Sequence, residues 1–185
     1  MKHLYFIRHG ESLHNTLNVV TGHTNSPLTD RGRQQATQAG KAARDAGLVF
    51  DVVLSSPLDR AHHTAIEIAV HTKHPVESII LMDQLKERFF GDLEEKSPLH
   101  YGITEEMYTT DPFVFDHIPN MEKLVDLQYR AHQVLEHLKS LPHERILIVS
   151  HGAIGRALRR AVENAPVTEE GTRQTIKNAE LIKLI

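Results

Sequence analysis

The chain contains no cysteine, which excludes a disulfide framework, a thiolate zinc site and a cysteine nucleophile. The same absence says little about compartment. No apolar run approaches the length of a membrane span, and the start, Met1-Lys2-His3-Leu4, offers too short an apolar stretch for a signal peptide. A cytoplasmic protein without a membrane partner is therefore expected. A basic cluster is also missing, and with a formal net charge of -3 nothing calls for nucleic acid as a partner. Any basic surface should be local, inside a pocket. Neither an internal repeat nor an interdomain linker interrupts the chain. What remains is 185 residues with 40% hydrophobic and 24% charged content, enough for one domain over residues 1–185 with a sizeable core.

Apolar runs followed by helical patterns dominate that domain. Leu4 to Ile7 is four bulky apolar residues in succession, the mark of a strand buried on both faces as in a parallel sheet. A polar, turn-rich stretch from His14 to Ser26 precedes a helix capped by Thr29 and ended by Gly47. Its alanines at 36, 39, 42, 43 and 46 form a narrow stripe suited to close packing on a sheet. A second strand is expected over Val49 to Leu54, then a helix that begins at Pro57 and runs to about Thr72, then a third apolar run, Ile79 to Met82. Asp92 to His117 is polar, punctuated by Pro98, Gly102 and Pro112, and reads as a lid or excursion with room for a short helix. Leu124, Leu127, Ala131, Val134, Leu135, Leu138 and Leu141 repeat at helical spacing. Ile146 to Val149 is a buried strand, a helix follows over Ala153 to Glu163, and Ala179 to Ile185 supplies an edge strand.

Reactive side chains gather at the ends of these runs. The first strand stops in Arg8-His9-Gly10 and the fourth in Ser150-His151-Gly152, while Arg60 falls in the first turn of the helix after the second strand and Glu87 follows the third run. In open α/β sheets, sites form beyond the carboxyl ends of the strands. A guanidinium offers a planar fork of donors to an anion such as phosphate, and a neutral imidazole is a nucleophile near pH 7. With 14 histidines and 10 glycines in the chain, one such triplet alone could arise by chance. Several strand ends bearing matched chemistry are a stronger signal.

In order along the chain, Arg8-His9-Gly10-Glu11-Ser12, Pro27-Leu28-Thr29, Ser56-Pro57-Leu58-Asp59-Arg60-Ala61, Glu87-Arg88-Phe89-Phe90-Gly91, Val149-Ser150-His151-Gly152 and Asn178 resemble the histidine phosphatase superfamily, also called the phosphoglycerate mutase-like family. The resemblance implies a three-layer α/β/α sandwich with a mostly parallel central sheet. It implies that His9 becomes a phosphohistidine, that Arg8, Arg60 and His151 hold the phosphoryl oxygens with Asn15 as an extra pocket residue, and that Glu87 gives a proton to the leaving oxygen. Ser12 and Gly22 are weaker candidates for the lining of the substrate pocket. Two guanidiniums and an imidazolium would neutralise a transferring phosphoryl group, so neither a metal nor another cofactor is expected. The partner would be a small phosphate ester, and the protein a monomer or homodimer.

Departures from the family pattern favour a phosphatase, a phosphoric monoester hydrolase of the histidine acid type, over a phosphomutase. Asp92 to His117 holds no arginine, where the glycolytic mutases carry paired arginines for the substrate carboxylate. Phe90 stands where they have a tyrosine, and His14 where a tryptophan is usual. Asn25 replaces an aspartate, and Met121-Glu122-Lys123 replaces Gly-Glu-Ser. The rivals are a phosphomutase, a histidine-rich metal-binding module built on His62-His63 or His71 and His74, and a catalytically silent binding protein. Glu94, Glu95, Glu105 and Glu106 make the expected lid acidic, as a barrier to polyanions or merely as a solvated face.

Overall fold

A computed structural model describes residues 2–111, 113–167 and 175–185. Pro112 of the expected lid lies outside them. Five strands form one sheet: β1 (His3–Arg8), β2 (Val52–Ser55), β3 (Ile80–Leu81), β4 (Arg145–Ser150) and β5 (Leu181–Lys183). Their spatial order is β3-β2-β4-β1-β5, with β5 antiparallel to β1 and every other pairing parallel.

Alternation along the strands divides the core. Leu4, Phe6, Val52, Leu54, Ile146 and Ile148 point to one face, where they meet α5 (Leu124–Ser140) and α6 (Gly152–Glu163). Ile7, Val53, Leu147 and Val149 point to the other, against Ala65 and Ile68 of α3 (Asp59–Thr72). Both faces of the central strands are thus apolar, as their unbroken hydrophobic runs require. Three layers result. The alanine stripe of α2 (Asp30–Asp45) buries Ala36 and Ala43, with Gly32 and Gly40 on the same face, and packs mainly on α3 rather than on the sheet alone. Thr29 caps α2 as expected, its Oγ1 accepting from the Gly32 N–H at 3.0 Å.

Local structure departs from or refines the expectations in three stretches. Val49 is 53% exposed and the second strand starts only at Val52, after Phe50, which turns in and meets Tyr5 edge-on at 5.5 Å. The run Ile79 to Met82 contributes a two-residue edge strand whose Ile80 and Leu81 are 50% and 48% exposed. An edge position leaves one side uncovered, so this apolar run stays half-exposed. The segment 92–117 is three short 3₁₀ turns and α4 (Glu105–Thr110). With the residues just after it, the segment builds a small separate core from Leu93, Ile103, Val114, Ile118 and Met121.

Candidate active site

The pairing of β1 with β4 sets Arg8 opposite Ser150, so His9 and His151 leave the sheet side by side. Their rings lie 5.1 Å apart, edge to face at 61°. The His9 N–H donates to the Ser150 carbonyl at 2.9 Å, which extends the ladder one residue beyond the strand. The chain then turns at Gly10, against the start of α2. A Cβ on Gly10 would lie 2.3 Å from the Gly32 carbonyl oxygen, a contact no side chain allows. The Gly10 N–H donates to Thr64 Oγ1 at 3.1 Å, and Thr64 in turn donates to the Arg60 carbonyl at 2.7 Å. The turn carrying His9 is thereby tied to the helix carrying Arg60.

Both imidazoles are almost wholly buried. His9 Nδ1 is 2.7 Å from the Gly10 carbonyl oxygen. A carbonyl only accepts, so Nδ1 holds the hydrogen and Nε2 keeps its lone pair. Burial first, then the positive charges of Arg60 and Arg8, push the His9 pKa well below its ordinary 6.5, against a weaker opposing effect of the Gly10 bond. His151 is displaced in the same direction by burial, Arg60, His9 and Arg8. A desolvated pocket and two guanidiniums thus oppose the charging of His151, which is expected to act as an imidazolium. His151 Nε2 lies 2.8 Å from Ser56 Oγ, and its Nδ1 is buried without a partner.

The guanidiniums are held by backbone carbonyls. Arg60, 1% exposed, donates through Nη1 to the Thr24 carbonyl (2.9 Å) and through Nη2 to the Gly22 carbonyl (2.8 Å). Arg8 Nη1 donates to the Ile176 carbonyl at 2.9 Å. Each retains a buried Nε–H with no partner, a donor ready for an anion. Burial lowers the Arg60 pKa to about 10, with Glu87 and Glu94 resisting. It stays a cation at neutral pH.

Glu87 sits at the positive end of α6. Its Oε1 accepts from the N–H groups of Arg88 (2.9 Å), Ala153 (3.0 Å) and Ile154 (3.2 Å), and its Oε2 from Ala153 (3.1 Å). The carboxylate thus satisfies orphan amides of a helix whose N-cap is His151. Its flanking residues take other partners: Lys86 pairs with Asp83 at 3.0 Å and Arg88 with Asp116. Glu122, from the altered Met121-Glu122-Lys123 motif, grips Arg130 through two bonds of 2.8 and 2.7 Å. Arg130 also donates to the carbonyls of Gln84, Lys86 and Glu87, which makes Glu122 a brace for the Glu87 backbone.

Asn15 and Asn178 form an outer ring. Asn178 Nδ2 donates to the His9 carbonyl at 2.9 Å, and Asn15 Oδ1 accepts from the Ser12 N–H at 3.1 Å. Ser12 itself is fully buried at the N-cap of α1 (Leu13–Thr16). Gly22 enters through its carbonyl on Arg60. Asn25 Oδ1 accepts from the Asp59 N–H at 3.1 Å, so the asparagine still caps the start of α3. Sequence reasoning missed Thr24, Thr64 and the contacts of Glu94, because a loop threonine, a helical threonine and a carboxylate in a polar stretch carry no local signal of their partners. Among the described residues no three histidine, aspartate or glutamate side chains gather as a metal site, and no helix is long and apolar enough to cross a membrane.

Known proteins resemble this chain in sequence and in fold. The chain is 34% identical over 174 residues to a 2,3-bisphosphoglycerate-dependent phosphoglycerate mutase of Bartonella bacilliformis, covering 86% of this chain and 81% of that one. It is 35% identical over 169 residues to the uncharacterized phosphatase PhoE of Bacillus subtilis, covering 90% and 80%. Among solved structures, the α-ribazole phosphatase of Shigella flexneri superposes with a TM-score of 0.83 at 28% identity, over 98% of this chain and 89% of that one. The family model of the histidine phosphatase superfamily (branch 1) matches residues 4–185, and the chain belongs to that superfamily.

Proposed function

We propose that the protein is a metal-independent phosphomonoesterase that hydrolyses a small phosphorylated metabolite through a phosphohistidine on His9. The observation that carries this reading is the fixed tautomer of His9: Nδ1 is engaged by the Gly10 carbonyl, which leaves Nε2 neutral and nucleophilic between two guanidiniums. Arg8, Arg60, His151 and Asn15 hold the phosphoryl oxygens. Nε2 attacks phosphorus in line, the ester P–O bond breaks, and Glu87 gives its proton to the departing oxygen. Water then attacks the phosphohistidine and passes a proton to Glu87, the P–N bond breaks, and the electron pair returns to Nε2. Fixed cations in a buried pocket stabilise the charge on the equatorial oxygens without reorganising during the reaction.

The rival reading, a phosphomutase, is favoured by the name of the Bartonella relative. Against it stands Phe90, which lies edge-on to Phe115 at 5.8 Å and has no hydroxyl to offer a substrate. The two readings differ in product. With 3-phosphoglycerate as substrate, phosphorus NMR should show free phosphate, whereas accumulation of 2-phosphoglycerate primed by the bisphosphate would assign the chain to the mutases.

A further inference from the structure

Glu94 belongs to the polar segment that reads as a solvated acidic face, yet its carboxylate is half-buried and is met by four donors. Oε1 accepts from the N–H groups of His23 (2.7 Å) and Phe90 (3.2 Å); Oε2 accepts from the N–H (2.9 Å) and Oγ1–H (2.7 Å) of Thr24. The same stretch is clamped on either side, with the Glu95 N–H on the Val20 carbonyl (2.7 Å) and the Val20 N–H on the Lys96 carbonyl (3.0 Å). At Gly22, whose φ is +31, a Cβ would fall 1.8 Å from Glu94 Oε1. Only glycine lets the carboxylate approach so closely.

The loop held this way is the one that orients Arg60. The Gly22 carbonyl and the His23 N–H belong to a single planar peptide group. One end of that group accepts from Arg60 Nη2 and the other donates to Glu94. Hydrogen bonds in such a chain polarise one another, and Thr24 makes a second link by accepting from Arg60 Nη1 at its carbonyl. With both Nη atoms so engaged, the direction of the unpartnered Nε–H is fixed. We infer that Glu94 is a positioning residue: through the Gly22–His23 peptide and Thr24 it sets the guanidinium of Arg60 in the orientation that receives a phosphoryl oxygen. This rests on the reading of Arg60 as a phosphate ligand.

The test is a double-mutant cycle read by competitive inhibition with vanadate and by kcat/KM for p-nitrophenyl phosphate. All four partners of Glu94 donate, so Glu94→Gln sets an amide NH₂ against donors. In an otherwise wild-type chain this should weaken vanadate about 10- to 100-fold, the scale of a buried mismatched donor. In an Arg60→Ala background, where no guanidinium remains to be positioned, the same substitution should add less than about twofold. Equal factors in both backgrounds would overturn the inference, since a general loss of structure multiplies through. So would an unchanged inhibition constant in the single variant. If Glu94→Gln does not fold, Thr24→Val, which removes one donor, should give about a threefold loss that again vanishes without Arg60; a factor that persists overturns the inference. If wild type does not bind vanadate, or Arg60→Ala binds it as tightly as wild type, the assignment of Arg60 itself fails and the inference falls with it. A normal wild type, a weakened Arg60→Ala and a multiplicative Glu94→Gln sink the inference alone.

Discussion

His9 and His151 end neighbouring parallel strands in matching register, each is followed by glycine, and each ring is buried with its pKa pushed down, yet their surroundings differ. His9 is bonded at Nδ1 to its own chain, and Nε2 is left with its lone pair. His151 is bonded at Nε2 to Ser56, and Nδ1 is the nitrogen without a partner. Gly10 turns the chain away from His9, whereas His151 is the N-cap of α6 and shares that helix's positive end with Glu87. Two side chains alike in type and strand position are thus prepared for different work. The first suits the nucleophile of the proposed reaction. The second suits the binding of charge, because an arriving dianion would offset the two guanidiniums that keep it neutral.

The largest expected effect breaks this pair apart. His9→Ala should abolish the acid-labile, base-stable phosphoenzyme trapped by rapid acid quench. His151→Ala should still form it from p-nitrophenyl phosphate, but about 10²–10³-fold more slowly, the scale on which an active-site donor acts. Labelling of the His9 variant, or labelling lost equally in both, would erase the distinction between nucleophile and binder.

A smaller effect sharpens the role of the helix end that His151 shares with Glu87. Alkoxides leave poorly without a proton, so Glu87→Gln should slow phosphorylation of His9 by an alkyl phosphate about 10²–10⁴-fold. Nitrophenolate leaves unaided, so the single-turnover rate with p-nitrophenyl phosphate should fall far less. A similar loss with both substrates would mean that Glu87 serves α6 as a cap rather than the reaction as an acid.

These differences were only partly legible in the sequence. The strand ends were, because unbroken apolar runs such as Ile146 to Val149 must be covered on both faces and the residues following them must emerge at one edge. The Thr29 cap was legible for a similarly local reason. The neutrality of His151 was not, since it arises from Arg60 and from burial, both set by distant segments. Glu94 was invisible for the opposite reason to Ile80. A carboxylate among polar residues looks solvated, and an apolar residue in a run looks buried, until the packing assigns one to the middle of a loop network and the other to a sheet edge. Glu122, part of an altered motif in the sequence, braces the Glu87 backbone through Arg130.

The smallest effect concerns Ser56, the residue that distinguishes the two imidazoles most locally. Its hydroxyl orients His151 but is not what keeps the ring neutral, since burial and Arg60 come first among the causes. Ser56→Ala should therefore lower kcat/KM about 3- to 10-fold, the net worth of one hydrogen bond, without moving the acid limb of the pH profile. That limb reports the free enzyme's nucleophile. Because the folded His9 pKa is depressed, the lone pair on Nε2 survives acidification past the ordinary 6.5, so the limb should lie below that value in both proteins. The linked effect on stability has the same origin. A depressed histidine binds fewer protons folded than unfolded once the pH drops through the unfolded value, so the thermal midpoint should fall as pH decreases below about 6.5. Kinetics measured with a substrate whose own phosphate ionisation is subtracted, beside thermal melts at the same pH values, decide the matter. An enzyme limb at or above 6.5, or one that shifts in Ser56→Ala, would show that the two histidines titrate as exposed or serine-controlled groups.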